Sequence, residues 1–261
     1  CYCDHFVLHG VVRRQRQICI SDRLYIGLVL ASFAMQPATV QAKAKKEAKV
    51  VRQLVVLHTN DTHSCVMPIN PNLADTATAN RGGFLRRVAM IKEERKQNPD
   101  LLLFDSGDFS QGSPYYSIFK GDVEVGLMNE MKYDAATIGN HEFDYGYDNL
   151  ATLAKEAKFP ILAANITKDG KLAFGDNTVF TAPDGTKIGV FGLSTPETAS
   201  KAHPAKIQGV SFASGKDMYQ IAQTQVDALK AQGCDIIVCL GHLGIDDETA
   251  VTKNRSIDLL E

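Results

Sequence analysis

Short β-branched apolar runs alternate along most of this chain with longer stretches whose apolar residues recur at helical spacing. The period-two or continuous apolar runs predict strands over 51–58 ("VRQLVVLH"), 100–106 ("DLLLFDS"), 135–140 ("AATIGN"), 159–166 ("FPILAANI") and 234–244 ("CDIIVCLGHLG"). Between them, helical spacing predicts helices over 82–97, 122–132 (despite Gly126), 147–158 and 216–233, the last closed by Gly233. The alternation is broken at 179–194, where Pro183, Asp184 and Gly185 turn between two apolar runs and predict a hairpin. Strand–helix alternation with one antiparallel hairpin implies an α/β fold with a mixed sheet or two packed sheets. No internal repeat or low-complexity tract interrupts it.

Composition fits an ordinary globular protein: 261 residues, 44% hydrophobic and 22% charged. The net charge of -2 hides an uneven distribution, since residues 1–50 carry eight Lys/Arg against three Asp/Glu while the remainder is acidic. In that head, Arg13, Arg14, Arg16 and Arg23 precede the apolar run "LYIGLVLASFAM" (24–35), and "VQA" at 40–42 supplies small residues suited to a signal peptidase. The order predicts an export signal cleaved after Ala42, hence a periplasmic or cell-surface protein. The run is well short of the roughly 20 residues that span a bilayer, so no stable membrane span is expected. Nucleic-acid binding is a poor reading of the basic head, which lacks regularly interleaved aromatics and precedes an acidic body. Residues 1–49 are therefore read as an upstream segment, signal and Lys-rich linker ("KAKKEAK"), and 50–261 as the functional domain. Of the six cysteines, Cys65, Cys234 and Cys239 fall in that domain, and they spell neither a disulfide framework nor a CxxC zinc site.

Chemistry gathers where the predicted strands end. Asp61 and His63 follow the first, Asp108 in "DSGDFSQGS" the second, "GNHEFD" (139–144) the third, and "GHLG" (241–244) the last. Loops at the carboxyl ends of strands in open α/β sheets converge on one crevice, so residues far apart in sequence can share a site. Each cluster has a bland reading alone: Asp-x-His after a strand is commonly a turn or cap, and His242 could be a hydrogen-bonded core histidine. Together, Asp61, Asp108, Asn140 and Glu142 or Asp144 offer oxygen ligands, while His63, His141 and His242 offer imidazoles. A mixed oxygen and nitrogen set suits zinc, manganese or iron better than calcium or a thiolate-bound structural zinc.

These blocks resemble the calcineurin-like metallophosphoesterases, and within them the 5′-nucleotidases of the periplasm and cell surface. The likeness runs through "LHTNDTHS" (57–64), "GDFSQGSPYYS" (107–117), "IGNHEFDYG" (138–146), "LAANI" (162–166), "GVFGLSTPET" (189–198) and "LGHLG" (240–244), in the family's order. The "GDxxQGS" form differs from the arginine-containing "GDxVDRG" of the Ser/Thr protein phosphatases. The resemblance implies a four-layer α-β-β-α sandwich of two mixed sheets, incomplete at its C-terminal end, and two divalent metal ions such as Zn or Mn. It implies Asp61 and His63 on one metal, Asp108 bridging, and Asn140 and His242 on the second. His141 is implied as the catalytic histidine, oriented by Asp144, with Asn140 and His141 also contacting substrate. The implied reaction is hydrolysis of nucleoside 5′-monophosphates by an activated water. 2′,3′-Cyclic nucleotides or nucleotide sugars are the alternative substrates, and a catalytically incomplete exported binding protein is the reading from another class.

The family draws further ligands from a later Gly-His loop, and two-domain members recognise the base with a separate C-terminal domain. This chain has no histidine after His242. Residues 43–261 alone are accordingly expected to bind metal weakly and to turn over slowly, with base recognition supplied by a separate domain or chain.

Overall fold

The structure, a computed structural model, describes residues 54–245 and 254–260. The predicted export signal, the Ala42 cleavage point and the Lys-rich linker lie outside the described residues. The first sheet is wholly parallel, in the order β1 (Val56–Thr59), β2 (Leu102–Asp105), β3 (Ala135–Ala136). Helix α1 (Phe84–Gln97) links β1 to β2, and α2 (Pro114–Phe119) and α3 (Asp122–Met131) link β2 to β3. After β3 come a 3-10 turn (His141–Phe143) and α4 (Tyr147–Glu156).

The chain then builds a small antiparallel sheet from β4 (Ile166–Lys168), β5 (Lys171–Leu172) and β8 (Val210–Phe212). The other large sheet has the order β6 (Asn177–Thr181), β7 (Lys187–Ser194), β9 (Ile236–His242), with β6 antiparallel to β7 as the hairpin pattern predicts and β9 parallel. Helix α5 (Thr198–Lys201) follows β7, α6 (Gly215–Ala231) precedes β9, and α7 (Ser256–Leu260) comes last.

The alternation of side chains along two central strands explains the layers. On β2, Leu103 packs with Phe84 and Ile91 of α1, Val125 and Met128 of α3, and Leu150 and Leu153 of α4, all in one buried cluster. The neighbouring positions Leu102 and Phe104 point the other way, into a core shared with Ile188 and Val190 of β7 and Leu240 of β9. Beyond β7, Phe191 and Leu193 pack against Met218, Ala222 and Leu229 of α6. The layers therefore run helices, sheet, sheet, helix, the α-β-β-α order expected.

Local differences from the expected elements fall where chain is diverted toward one end of the sheets. The strand predicted over 135–140 is confined to Ala135–Ala136: the Thr137 N–H bond to the Asp105 carbonyl at 2.9 Å is the last rung of its parallel ladder with β2, and the following residues leave the sheet. The run at 159–166 is likewise mostly irregular, pairing only through bridges at Ile161 and Leu162 before β4 begins. Helix α2 was not anticipated, yet its start is written locally: Ser113 caps Tyr115 N–H at 3.1 Å, and Pro114 opens the first turn.

Candidate metal centre

Two loops from adjacent strands of the parallel sheet are laced together by their backbones. Asp61, His63 and Ser64 donate N–H bonds to the carbonyls of Gly107, Asp108 and Phe109 at 2.9, 3.0 and 2.9 Å. The lacing bends both backbones into the left-handed region at five residues other than glycine, Asp61, His63, Ser64, Asp108 and Gln111, with φ between 43° and 67°. Each such residue stores strain that surrounding contacts must offset, and strain of this kind clusters at functional sites. Close approach also demands glycines. A Cβ on Gly139 would overlap the Asp108 carboxylate, and one on Gly112 would come within 2.7 Å of the His63 carbonyl.

The loops converge on the Asp108 carboxylate. Its Oδ2 lies 3.3 Å from His242 Nε2, arriving from β9 of the other sheet, and 3.9 Å from His63 Nε2. Its Oδ1 accepts the His141 backbone N–H at 3.0 Å. Asp61 Oδ1 stands 3.8 Å from His63 Nε2. Asp61, Asp108 and His242 thus offer ligand atoms within 4.8 Å of one another, as do His63, Asp108 and His141, with Asp108 common to both sets. Asn140 directly precedes His141 at the start of the 3-10 turn, its side chain making no capping bond there.

The donor set fits divalent cations. His242 Nδ1 is 2.9 Å from the Ser106 carbonyl, which accepts its proton and leaves Nε2 to face Asp108. Orienting an imidazole by a bond to its far nitrogen is the usual support for a ligating histidine. Without a metal, a proton must do the metal's work at this point. Burial opposes charge on His242, but the Asp108 hydrogen bond and charge outweigh it and raise the imidazole to about 9. Burial would likewise lift Asp108, yet the His242 hydrogen bond and charge hold it at about 2.

The sign of that coupling gives a test. His242 is raised above its ordinary value of 6.5, so the stability it contributes is fully present below pH 6.5 and is lost as pH rises through about 9. Thermal unfolding of chelator-treated protein should show a falling midpoint between those limits. Saturating Mn²⁺ or Zn²⁺ should remove the fall, because the cation replaces the proton between His242 and Asp108.

His141 sits beside this cluster with its ring edge-on to His63, centroids 5.4 Å apart. Asp144 Oδ2 lies 3.0 Å from its Nδ1, and that hydrogen bond raises the imidazole despite partial burial. Glu142, offered by the sequence as a possible oxygen ligand, instead spends both carboxylate oxygens on backbone N–H groups, and Asp105, Ser64 and Glu124, which the residue pattern did not single out, support the site with it. Fully buried Glu142 accepts N–H bonds from Asp108, Ser110 and Gly139 at 3.0, 3.0 and 2.7 Å. Asp105, pushed up to about 7 by burial, accepts from Thr59 Oγ1 at 2.6 Å and from Gly107 N–H at 2.9 Å. Ser64 Oγ donates to buried Glu124 and lies 2.6 Å from Ser113 Oγ, tying the His63 loop to the starts of α2 and α3.

The pairing implied by the family resemblance, Asp61 with His63 and Asn140 with His242, is one way to divide these ligands. Proximity in the structure also groups His141 with His63 and Asp108.

Comparison with known proteins shows the family and the fold. The family model described as calcineurin-like phosphoesterase matches residues 54–259. A 5′-nucleotidase of Homo sapiens is 35% identical over 217 residues, covering 80% of this chain and 37% of that protein. A snake venom 5′-nucleotidase of Crotalus adamanteus is 33% identical over 217 residues, covering 80% and 36%. Among solved structures, a 5′-nucleotidase precursor from Thermus thermophilus aligns with TM-score 0.65 at 34% identity, over 75% of this chain and 38% of that one. The calcineurin-like phosphoesterase YfkN of Bacillus subtilis aligns with TM-score 0.64 at 29% identity, over 79% and 67%. The chain spans 37% of the length of the human relative.

Proposed function

The chain belongs to the calcineurin-like phosphoesterase family, and from that premise we propose that it forms the metal-binding half of an exported hydrolase that releases phosphate from nucleoside 5′-monophosphates. The observation that carries the reading is the Asp108 carboxylate set between His63 Nε2 and His242 Nε2 at 3.9 and 3.3 Å, one carboxylate shared by two ligand sets. Asp61, His63, Asp108, Asn140 and His242 would hold two divalent cations. Bound in a pair, such ions make water a nucleophile near neutral pH and neutralise phosphoryl charge.

The protein's own groups do the rest. Asp108 offsets cationic charge at the shared position. Asn140 contributes a neutral oxygen, leaving its half of the site less anionic. His141, whose protonated form the Asp144 hydrogen bond favours, faces the same space and donates to a phosphoryl oxygen or to the departing alkoxide. Water oxygen joins phosphorus, the ester P–O bond breaks, and the leaving oxygen takes up a proton.

Export is supported by the basic-then-apolar order of residues 13–35. Among the described residues no helix is long and apolar enough to cross a membrane. Base recognition is assigned to a separate nucleotide-binding domain or chain, in keeping with curated relatives more than twice as long as the matched region.

The test is phosphate release from nucleoside 5′-monophosphates, 2′,3′-cyclic nucleotides and nucleotide sugars, each with Mn²⁺ or Zn²⁺ and with or without chelator. Slow, metal-dependent release that is fastest from the 5′-monophosphates is expected. Release insensitive to chelator would overturn the metal reading, and a preference for either other substrate would overturn the nucleotidase assignment.

A further inference from the structure

Glu142 lies in the motif that also carries Asn140 and His141, yet its carboxylate points away from the metal ligands and into the protein. It is fully buried, and its partners are backbone groups of two different loops. Oε2 accepts from Asp108 N–H and Gly139 N–H at 3.0 and 2.7 Å, and Oε1 accepts from Ser110 N–H at 3.0 Å. A buried carboxylate is costly to desolvate, and three fixed donors offset much of that cost. The arrangement is also reciprocal. Glu142 holds the backbone of Asp108, while the Asp108 carboxylate holds the backbone of His141, the residue next to Glu142.

We propose that Glu142 is a positioning residue that fixes the separation of the two metal-binding halves, by clasping loop 107–112 and loop 139–141 on one carboxylate. The proposal rests on the two-metal reading above. Asp108 serves both ligand sets and Asn140 serves one, so the distance between their loops determines whether both cations can be held together. Direct backbone contact alone leaves that distance free to widen, since Gly107 and Gly139 meet without side chains. The carboxylate closes it from the far side. Charge matters as well as length: in Glu142→Gln the amide can turn only one oxygen toward these donors, and its NH₂ then confronts an N–H.

The experiment titrates the full chain with Mn²⁺, following binding by calorimetry and the spectroscopic signature of coupled Mn²⁺ pairs by electron paramagnetic resonance. Parent chain, Glu142→Gln and Phe143→Leu are compared. Phe143 is a fully buried neighbour in the helix-side core, and its truncation loosens packing without touching the loop hydrogen bonds. Glu142→Gln should bind Mn²⁺ about 10- to 100-fold more weakly, the usual effect of losing a supporting partner, and should lose the coupled-pair signal. Phe143→Leu should lower the melting temperature of the metal-free chain while keeping parent-like affinity and the signal. If Glu142→Gln weakens binding no more than Phe143→Leu, or retains the coupled pair, the proposal is wrong. Should Glu142→Gln fail to fold, Glu142→Asp, which keeps a carboxylate one methylene shorter, is read by the same criteria. If the parent chain shows no coupled pair, the two-metal reading itself fails, and the proposal falls with it.

Discussion

Asp108→Asn should reduce metal-dependent phosphate release by about 10³-fold, because a bound metal's several kcal/mol of transition-state stabilisation equals roughly three decades at 1.36 kcal/mol per decade. The substitution is a narrow one. Asp108 holds φ at 54°, and asparagine is among the residues that tolerate this left-handed backbone, so the loop can keep its course. An amide oxygen can still accept the His141 N–H that Oδ1 accepts at 3.0 Å. What disappears is the negative charge and the second acceptor, leaving an NH₂ group opposite His242 Nε2 and His63 Nε2. Metal titration should therefore show at least one cation lost from the pair. The same variant removes the partner that raises His242, so the fall in metal-free stability between pH 6.5 and about 9 should flatten. Activity within tenfold of the parent would show that Asp108 is not the shared ligand.

Much of this site was legible because its residue types are chemically restrictive and each cluster follows an apolar strand. Asp61, His63, Asp108, His141 and His242 could be picked out as candidates before any geometry was known, and an α/β fold followed from the alternation of strand and helix patterns, while its four-layer order was implied only by the family resemblance. The supporting shell was not legible. Glu142 was visible in the motif, but its partners are backbone N–H groups of residues that lie 32 and 34 positions away and of Gly139, and a backbone group carries no sequence signature. Asp105 reads as the polar end of a strand until Thr59 and Gly107 are seen to bond it. The Ser106 carbonyl that orients His242 is 136 residues away in sequence. Element boundaries failed for a related reason. "AATIGN" has the pattern of a strand, but its last residues are taken from the sheet to form the loop that carries Asn140 and His141.

The division of labour around His141 is where sequence resemblance and proximity part, and one variant decides between them. His141→Asn should keep Mn²⁺ affinity within a few-fold of the parent while lowering turnover about 10²- to 10⁴-fold, the range expected for losing a positioned proton donor. The grounds are in its hydrogen bonds. The Nδ1 bond to Asp144 at 3.0 Å favours the protonated imidazole, and a proton on Nε2 suits donation to a phosphoryl or leaving oxygen. Yet its ligand atom also lies within 4.8 Å of those of His63 and Asp108, and a metal there would displace the proton from Nε2. In that case the asparagine variant would lose metal together with turnover, and added Mn²⁺ would recover part of the activity. A drop in turnover that excess Mn²⁺ leaves untouched places His141 with the substrate. A drop that Mn²⁺ reverses places it with the ligands.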